Sequence, residues 1–146
     1  MYSAIDLAKY IVRKCIADKL PISNLQLQKI LYYIQKYFLQ SKCVPFFYEN
    51  IEAWIFGPVV PSVYYYFSGA GAMPITLCED IQGNLDSIFS EDEKAIINKI
   101  VEEKRLLNPW DMVAETHKLG GAWATIYQNG AGNHKVIPIS EIISRG

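Results

Sequence analysis

The chain of 146 residues lacks an excess of either charge: 14 Lys and Arg stand against 15 Asp and Glu, and the two signs are interleaved. It therefore has no electrostatic footprint of the kind a phosphate backbone attracts, and nucleic acid is not an expected partner. Cysteine is sparse. Cys15, Cys43 and Cys78 are odd in number, widely spaced and outside any CxxC pair, which argues against a disulfide framework or a zinc knuckle and for reduced thiols in a cytoplasmic protein. No apolar run approaches the ~18 residues that a membrane span needs, and the N-terminus lacks a basic-then-apolar export signal. Internal repeats and low-complexity tracts are missing as well. The glycines of Gly69-Ala70-Gly71-Ala72 are not followed by Gly-Lys-Ser/Thr, so they make no phosphate loop. Histidine is nearly absent, with only His117 and His134 available. No nucleophile, base and orienting residue cluster, and no ligands fall at metal spacing, so neither a cofactor nor a metal is expected.

What remains is apolar, at 51% of residues, enough for one compact domain spanning residues 1–146. The chain turns most sharply at Ile51-Glu52-Ala53-Trp54-Ile55-Phe56-Gly57-Pro58-Val59-Val60-Pro61. Ile51, Ala53 and Ile55 alternate with Glu52, Trp54 and Phe56, which predicts a short strand. Gly57 and Pro58 then stop it: glycine permits a positive φ, and proline donates no hydrogen bond. Pro61 is placed as the first residue of a helix. Trp54, Gly57 and Pro58 are expected to form a structural corner.

Helices dominate the rest. Ser3, Ser23 and Ser90, each followed three residues later by an acid or glutamine, predict three capped starts, and Asn108-Pro109 a fourth. The second helix has an apolar stripe of Leu27, Ile30, Leu31, Ile34 and Phe38, while Gln28, Lys29, Lys36 and Gln40 read as solvent residues. Further helices are expected over 61–67, over 122–127 and from Ser140. Residues 79–89 read as irregular surface. Ile75-Thr76-Leu77 predicts a strand pairing with Ile51 to Phe56, and Val136-Ile137 another. The fold class is thus mainly α, with about six helices and a two- or three-stranded β element.

Aromatics exceed what one core stripe requires. Tyr64, Tyr65 and Tyr66 advance ~100° each around their helix and cannot all face one core, and Tyr33 and Tyr37 widen the second helix. These five are candidate partner-binding residues, because aromatic side chains are enriched at protein interfaces. His117, on a face with Trp110, Val113 and Ala114, is expected to be buried and hydrogen-bonded within the protein.

Three separated pieces carry a family resemblance. Leu25-Gln26-Leu27-Gln28-Lys29-Ile30-Leu31-Tyr32-Tyr33-Ile34-Gln35 resembles an LQKLLYYAQ signature helix. Glu52 to Pro61 resembles an EAWxyGPVVP motif, and Thr116-His117 with Trp123 is similar to a late TH motif. Together they resemble the Panacea domain of SocA-like antitoxins, a family that includes phage-associated proteins. In the third piece Gly121-Ala122-Trp123 follows Thr-His where the family commonly has Pro-Trp. The resemblance implies a cytoplasmic antitoxin that binds and neutralises a toxin encoded nearby, and a possible role as adaptor to a cellular protease. It also marks Gln28, Lys29, Tyr32, Trp54, Gly57, Pro58, Pro61, His117 and Trp123 as motif residues with structural roles. The competing readings are a small hydrolase-type enzyme using His117, which would need a pocket joining it to a second polar group such as Cys78, and a phage-encoded factor acting on another host protein.

Overall fold

Local signals start the helices where the sequence places them. The computed structural model describes residues 1–78 and 85–146. Among these are α1 (Ala4–Ala17), α2 (Asn24–Lys42), β1 (Glu52–Trp54), β2 (Gly57–Val59), α3 (Pro61–Tyr66), α4 (Leu85–Ile88), α5 (Glu91–Lys104), α6 (Pro109–Thr116), α7 (Ala122–Tyr127), β3 (Lys135–Val136) and α8 (Ile139–Arg145). The fold is mainly α with a minor sheet, as expected, although the described residues hold eight α-helices rather than about six. Complete capping boxes open α2 at Ser23/Gln26 and α5 at Ser90/Glu93, and Asn108 caps α6 with Pro109 in its first turn. Ser3 caps α1 through the Ile5 amide, without reciprocation by Asp6. The unforeseen helix is α4. Leu85 and Phe89, four residues apart, are both buried, so this stretch folds into a turn against the core rather than running irregularly over the surface. The remainder of the expected 79–89 surface segment, residues 79–84, lies outside the described residues.

Helix α2 is the element against which the others pack: α1, α3, α5, α6, α8 and β2 all contact it. Its stripe of Leu27, Ile30, Leu31, Ile34 and Phe38 is buried, as is Leu39. None of the described helices is long and apolar enough to cross a membrane.

The sheet has the order β2-β1-β3, antiparallel throughout. Trp54 pairs with Gly57, so the corner expected after Phe56 is a tight hairpin, with Ile55 and Phe56 as its tip and Gly57-Pro58-Val59 as the second strand. β3 covers the other edge of β1 and confirms the strand expected near Val136. With both edges occupied, the predicted pairing of residues 75–77 with β1 does not occur. Pro74 instead bridges Ser23, and the Ile75 amide donates to the Ile22 carbonyl at 2.8 Å, tying this segment to the α1–α2 connection.

Candidate functional site

The polar residues of α2 point inward. Gln28, Lys29 and Gln35 are 1%, 0% and 3% exposed, which corrects the expectation that Gln28 and Lys29 face solvent; Lys36 is half-buried and Gln40 is exposed. Where neighbours pack on several sides of a helix, the polar side chains that face them must find partners inside. They do so by fastening passing backbone. Gln28 Oε1 accepts the Val60 amide at 2.9 Å while its Nε2 donates to Asn24 Oδ1, and Asn24 Nδ2 donates to the Tyr64 carbonyl at 3.0 Å. Gln35 Oε1 accepts the Phe46 and Phe47 amides at 2.7 and 3.3 Å, and its Nε2 donates to the Phe47 carbonyl at 3.2 Å. Lys29 Nζ donates to the Pro58 carbonyl at 3.0 Å.

The three separated sequence pieces meet around Lys29. Gly57 has φ +116°, and a Cβ there would lie 2.7 Å from Lys29 Cε and 2.8 Å from Thr116 Oγ1, so both backbone conformation and space require glycine. Thr116 spends its hydroxyl proton on the Val113 carbonyl at 2.9 Å. His117 caps α6, and its ring stacks on Trp123 with centroids 3.6 Å apart and planes 3° from parallel. Trp123 Nε1 donates in turn to the Trp54 carbonyl at 2.7 Å, and Trp54 stacks on His134 at 4.4 Å. Pro61 sits at the first position of α3, and Tyr32 is buried. The histidine expectation needs correction. His117 is half-buried and stacked on Trp123, and among the described residues its Nε2 is buried without a hydrogen-bond partner. Burial, and secondarily the Lys29 charge, hold the His117 imidazole below its ordinary value. Cys78 lies against α1, its Sγ 3.9 Å from the Lys9 carbonyl.

Above this junction opens a cleft of about 600 Å³ between the hairpin, the start of α2, α3 and the start of α6. Asn24, Gln28 and Lys29 lie at its base, and Leu25, Trp54, Ile55, Phe56, Tyr64 and Trp110 form its walls and rim. Ile55, Phe56 and Trp110 are 59%, 48% and 59% exposed, and the Phe56 and Trp110 rings meet edge to face at 5.4 Å. His117 is not part of this lining. Sequence reasoning missed the rim for two reasons. Ile55 and Phe56 read as strand residues until the hairpin turns them outward, and Trp110 reads as sharing a face with Val113, Ala114 and His117 although it occupies the first turn beyond the Asn108 cap. The usable signal was two large apolar residues directly before Gly-Pro, where a two-residue hairpin loop has no inner side.

The structure divides the five candidate tyrosines. Tyr64 lines the cleft, Tyr65 is 62% exposed beside Trp54 at 6.1 Å, and Tyr66 is 44% exposed with Lys9 Nζ 4.8 Å over its ring. Tyr33 turns the other way. Its hydroxyl donates to Glu115 Oε1 and Lys104 Nζ sits 4.2 Å over its ring, tying it to α5 and α6. Burial, then Glu115, raises the Tyr33 phenol above its ordinary value. At about 1.5 Å per residue, Tyr33 and Tyr37 lie roughly 13 and 19 Å along α2 from Asn24, where α3 packs, so they do not extend the α3 surface. Among the described residues no three His, Cys, Asp or Glu side chains converge as metal ligands would.

The described residues thus form a helical domain packed around α2, with an aromatic-rimmed cleft beside the hairpin. Comparison with known proteins makes the assignment specific. Residues 27–124 match the model of the family described as antitoxin SocA-like, Panacea domain. The chain is also similar to Antitoxin SocA of Caulobacter vibrioides (strain NA1000 / CB15N), with 37% identity over 134 residues, covering 87% of this chain and 71% of that protein. The chain belongs to the SocA-like Panacea family. No solved structure matches it.

Proposed function

We propose that this chain is an antitoxin that acts in the cytoplasm, neutralises a cognate toxin by binding it directly, and receives that toxin at the cleft between the hairpin tip and α6. One observation carries the choice of surface: Ile55, Phe56 and Trp110 are roughly half exposed or more, yet contiguous around a concavity. Large apolar patches on a folded monomer mark interaction sites, and tryptophan and tyrosine are favoured where few residues supply most of the binding energy. Family membership supplies the class of partner, a toxin. Tyr64 and Tyr65 flank the same opening and belong to the proposed surface, whereas Tyr33, Tyr37 and Tyr66 lie away from it.

The role is one of binding rather than catalysis. His117 is stacked against Trp123, outside the cleft lining, and so does not meet the requirement for a hydrolase centre. Neutralisation by occlusion and neutralisation by delivery to a protease both begin with this contact. Co-expression with the adjacent open reading frame, scored by growth and by pull-down, tests the proposal. Growth rescue with a stable complex supports occlusion, rescue that depends on a cellular protease supports delivery, and a neighbour that is harmless alone or never captured contradicts the antitoxin reading.

A further inference from the structure

The outer edge of β2, which borders the cleft, has its hydrogen-bonding groups already taken. In an antiparallel pair alternate residues turn their N–H and C=O groups away from the partner strand. With Trp54 opposite Gly57 and Glu52 opposite Val59, the groups turned outward are the Pro58 carbonyl and the Val60 amide. Lys29 Nζ donates to the first at 3.0 Å, and Gln28 Oε1 accepts the second at 2.9 Å. Pro58 has no N–H of its own. On the α3 side the Tyr64 carbonyl accepts from Asn24 Nδ2 at 3.0 Å. A segment entering in extended form would find no strand edge on β2 to pair with, and its own backbone groups would be buried unpaired. A helix meets no such difficulty, because its backbone bonds are internal.

The reachable walls favour the same occupant. Ile55, Phe56 and Trp110 are exposed, Leu25, Trp54 and Tyr64 partly so, and none of the six is acidic or basic. The lining's lysine, Lys29, is 0% exposed beneath Gly57 and engaged with Pro58. Charge begins at the margin. Glu52 accepts the Trp54 indole N–H at 3.0 Å, and Asp111 follows Trp110 in the first turn of α6. Among the described residues neither carboxylate forms a salt bridge. An apolar concavity with acidic groups at its margin complements a helix whose apolar stripe is flanked by Lys or Arg.

We propose that the cleft receives the apolar face of an amphipathic α-helix of the toxin, with basic residues along that face set toward Glu52 and Asp111. This inference rests on the antitoxin reading above and on its placement of the contact. The helix brings large apolar side chains against Phe56, Tyr64 and Trp110 at steps of three and four residues, the spacing that shares one helix face. Gln28 and Lys29 act here as positioning residues. By occupying the outer edge of β2 they keep it from accepting a strand, and they hold the hairpin whose tip meets the helix.

The test uses the full chain with a photoreactive benzoylphenylalanine in place of Phe56 in one sample and of Trp110 in another, irradiated in complex with the purified product of the adjacent reading frame. Both positions should label one segment of that protein, at residues about three, four or seven positions apart. Labels at alternate residues would reveal an extended occupant, and labels in unconnected segments would exclude any single element; either result overturns the helix. A second readout addresses the charge and stands even if the photoreactive variants bind poorly, since Asp111 lies outside the lining. Asp111→Lys should weaken binding about three- to tenfold at low salt and less at roughly 0.5 M, where screening shortens the reach of the repulsion. Equal affinity of wild type and variant at low salt overturns the basic flank. A complex that forms without labelling from either position overturns this inference and the cleft as the contact, and leaves the antitoxin reading standing. A wild-type chain that forms no complex overturns both.

Discussion

The two halves of α2 solve one problem in different ways. Toward its C-terminus, Gln35 accepts two amides and donates to a carbonyl, so the Phe46-Phe47 segment is held by a side chain with matched donors and acceptors and no charge. Toward its N-terminus, Lys29 holds Pro58 by one bond and keeps a buried amine that burial depresses to about 7. The first arrangement is complete as a structural fastener. The second carries an electrostatic cost that a structural role does not require, and it lies under the cleft. A buried polar group that is fully paired is satisfied by the fold, while one only partly paired keeps part of its desolvation cost.

Substitutions separate these roles, beginning with the largest expected loss of stability. Gly57→Val sets a β-branched side chain at φ +116° and against Lys29 Cε and Thr116 Oγ1, and should cost about 3 to 5 kcal/mol in chemical denaturation. An unchanged midpoint would show that the hairpin is not clamped against α2. Gln35→Leu leaves the Phe46 and Phe47 amides and the Phe47 carbonyl without their side-chain partner, and should cost about 2 to 3 kcal/mol at every pH from 6 to 9.

Lys29→Met should act through pH instead. The folded-state value of Lys29, about 7, lies below its ordinary 10.5, so between these values the unfolded chain binds more protons and the burial penalty eases as pH rises. Wild-type stability should therefore gain up to about 1 kcal/mol per unit between pH 7 and 9 from this group. That gain should vanish in Lys29→Met, as read from denaturation midpoints across the range. A pH slope equal in both proteins would mean that the amine keeps its proton in the fold.

How much of this was legible follows from the range of each signal. The caps at Ser23, Ser90 and Asn108 depend on residues three or fewer positions away, and all three form as read. Pro61 and the positive φ of Gly57 are equally local. The inward turn of Gln28 and Lys29 was hidden because amphipathic reading assigns polar side chains to solvent, and only the packing of β2, α3 and α6 against this part of α2 reverses that assignment. The strand expected at residues 75–77 failed because pairing depends on which edges of β1 are free, and β2 and β3 occupy both. At the site, the sequence pointed to Trp54, Gly57 and Pro58. It did not reveal that Ile55, Phe56 and Trp110 form one rim, since Trp110 is far along the chain and only the tertiary fold brings it to the hairpin tip.

The rim residues should matter least to folding and most to binding. Phe56 and Trp110 are already roughly half exposed, so Phe56→Ala combined with Trp110→Ala should cost only about 1 to 2 kcal/mol and leave the chain folded. The measurement that bears most directly on the proposed cleft is the affinity of this double variant for the product of the adjacent reading frame, beside Tyr37→Ala as a control on the far part of α2. The account predicts roughly a hundredfold or greater loss of affinity and loss of growth rescue for the double variant, with Tyr37→Ala close to wild type. A folded double variant that binds and neutralises as well as wild type would place the interface elsewhere and contradict the assignment of the cleft.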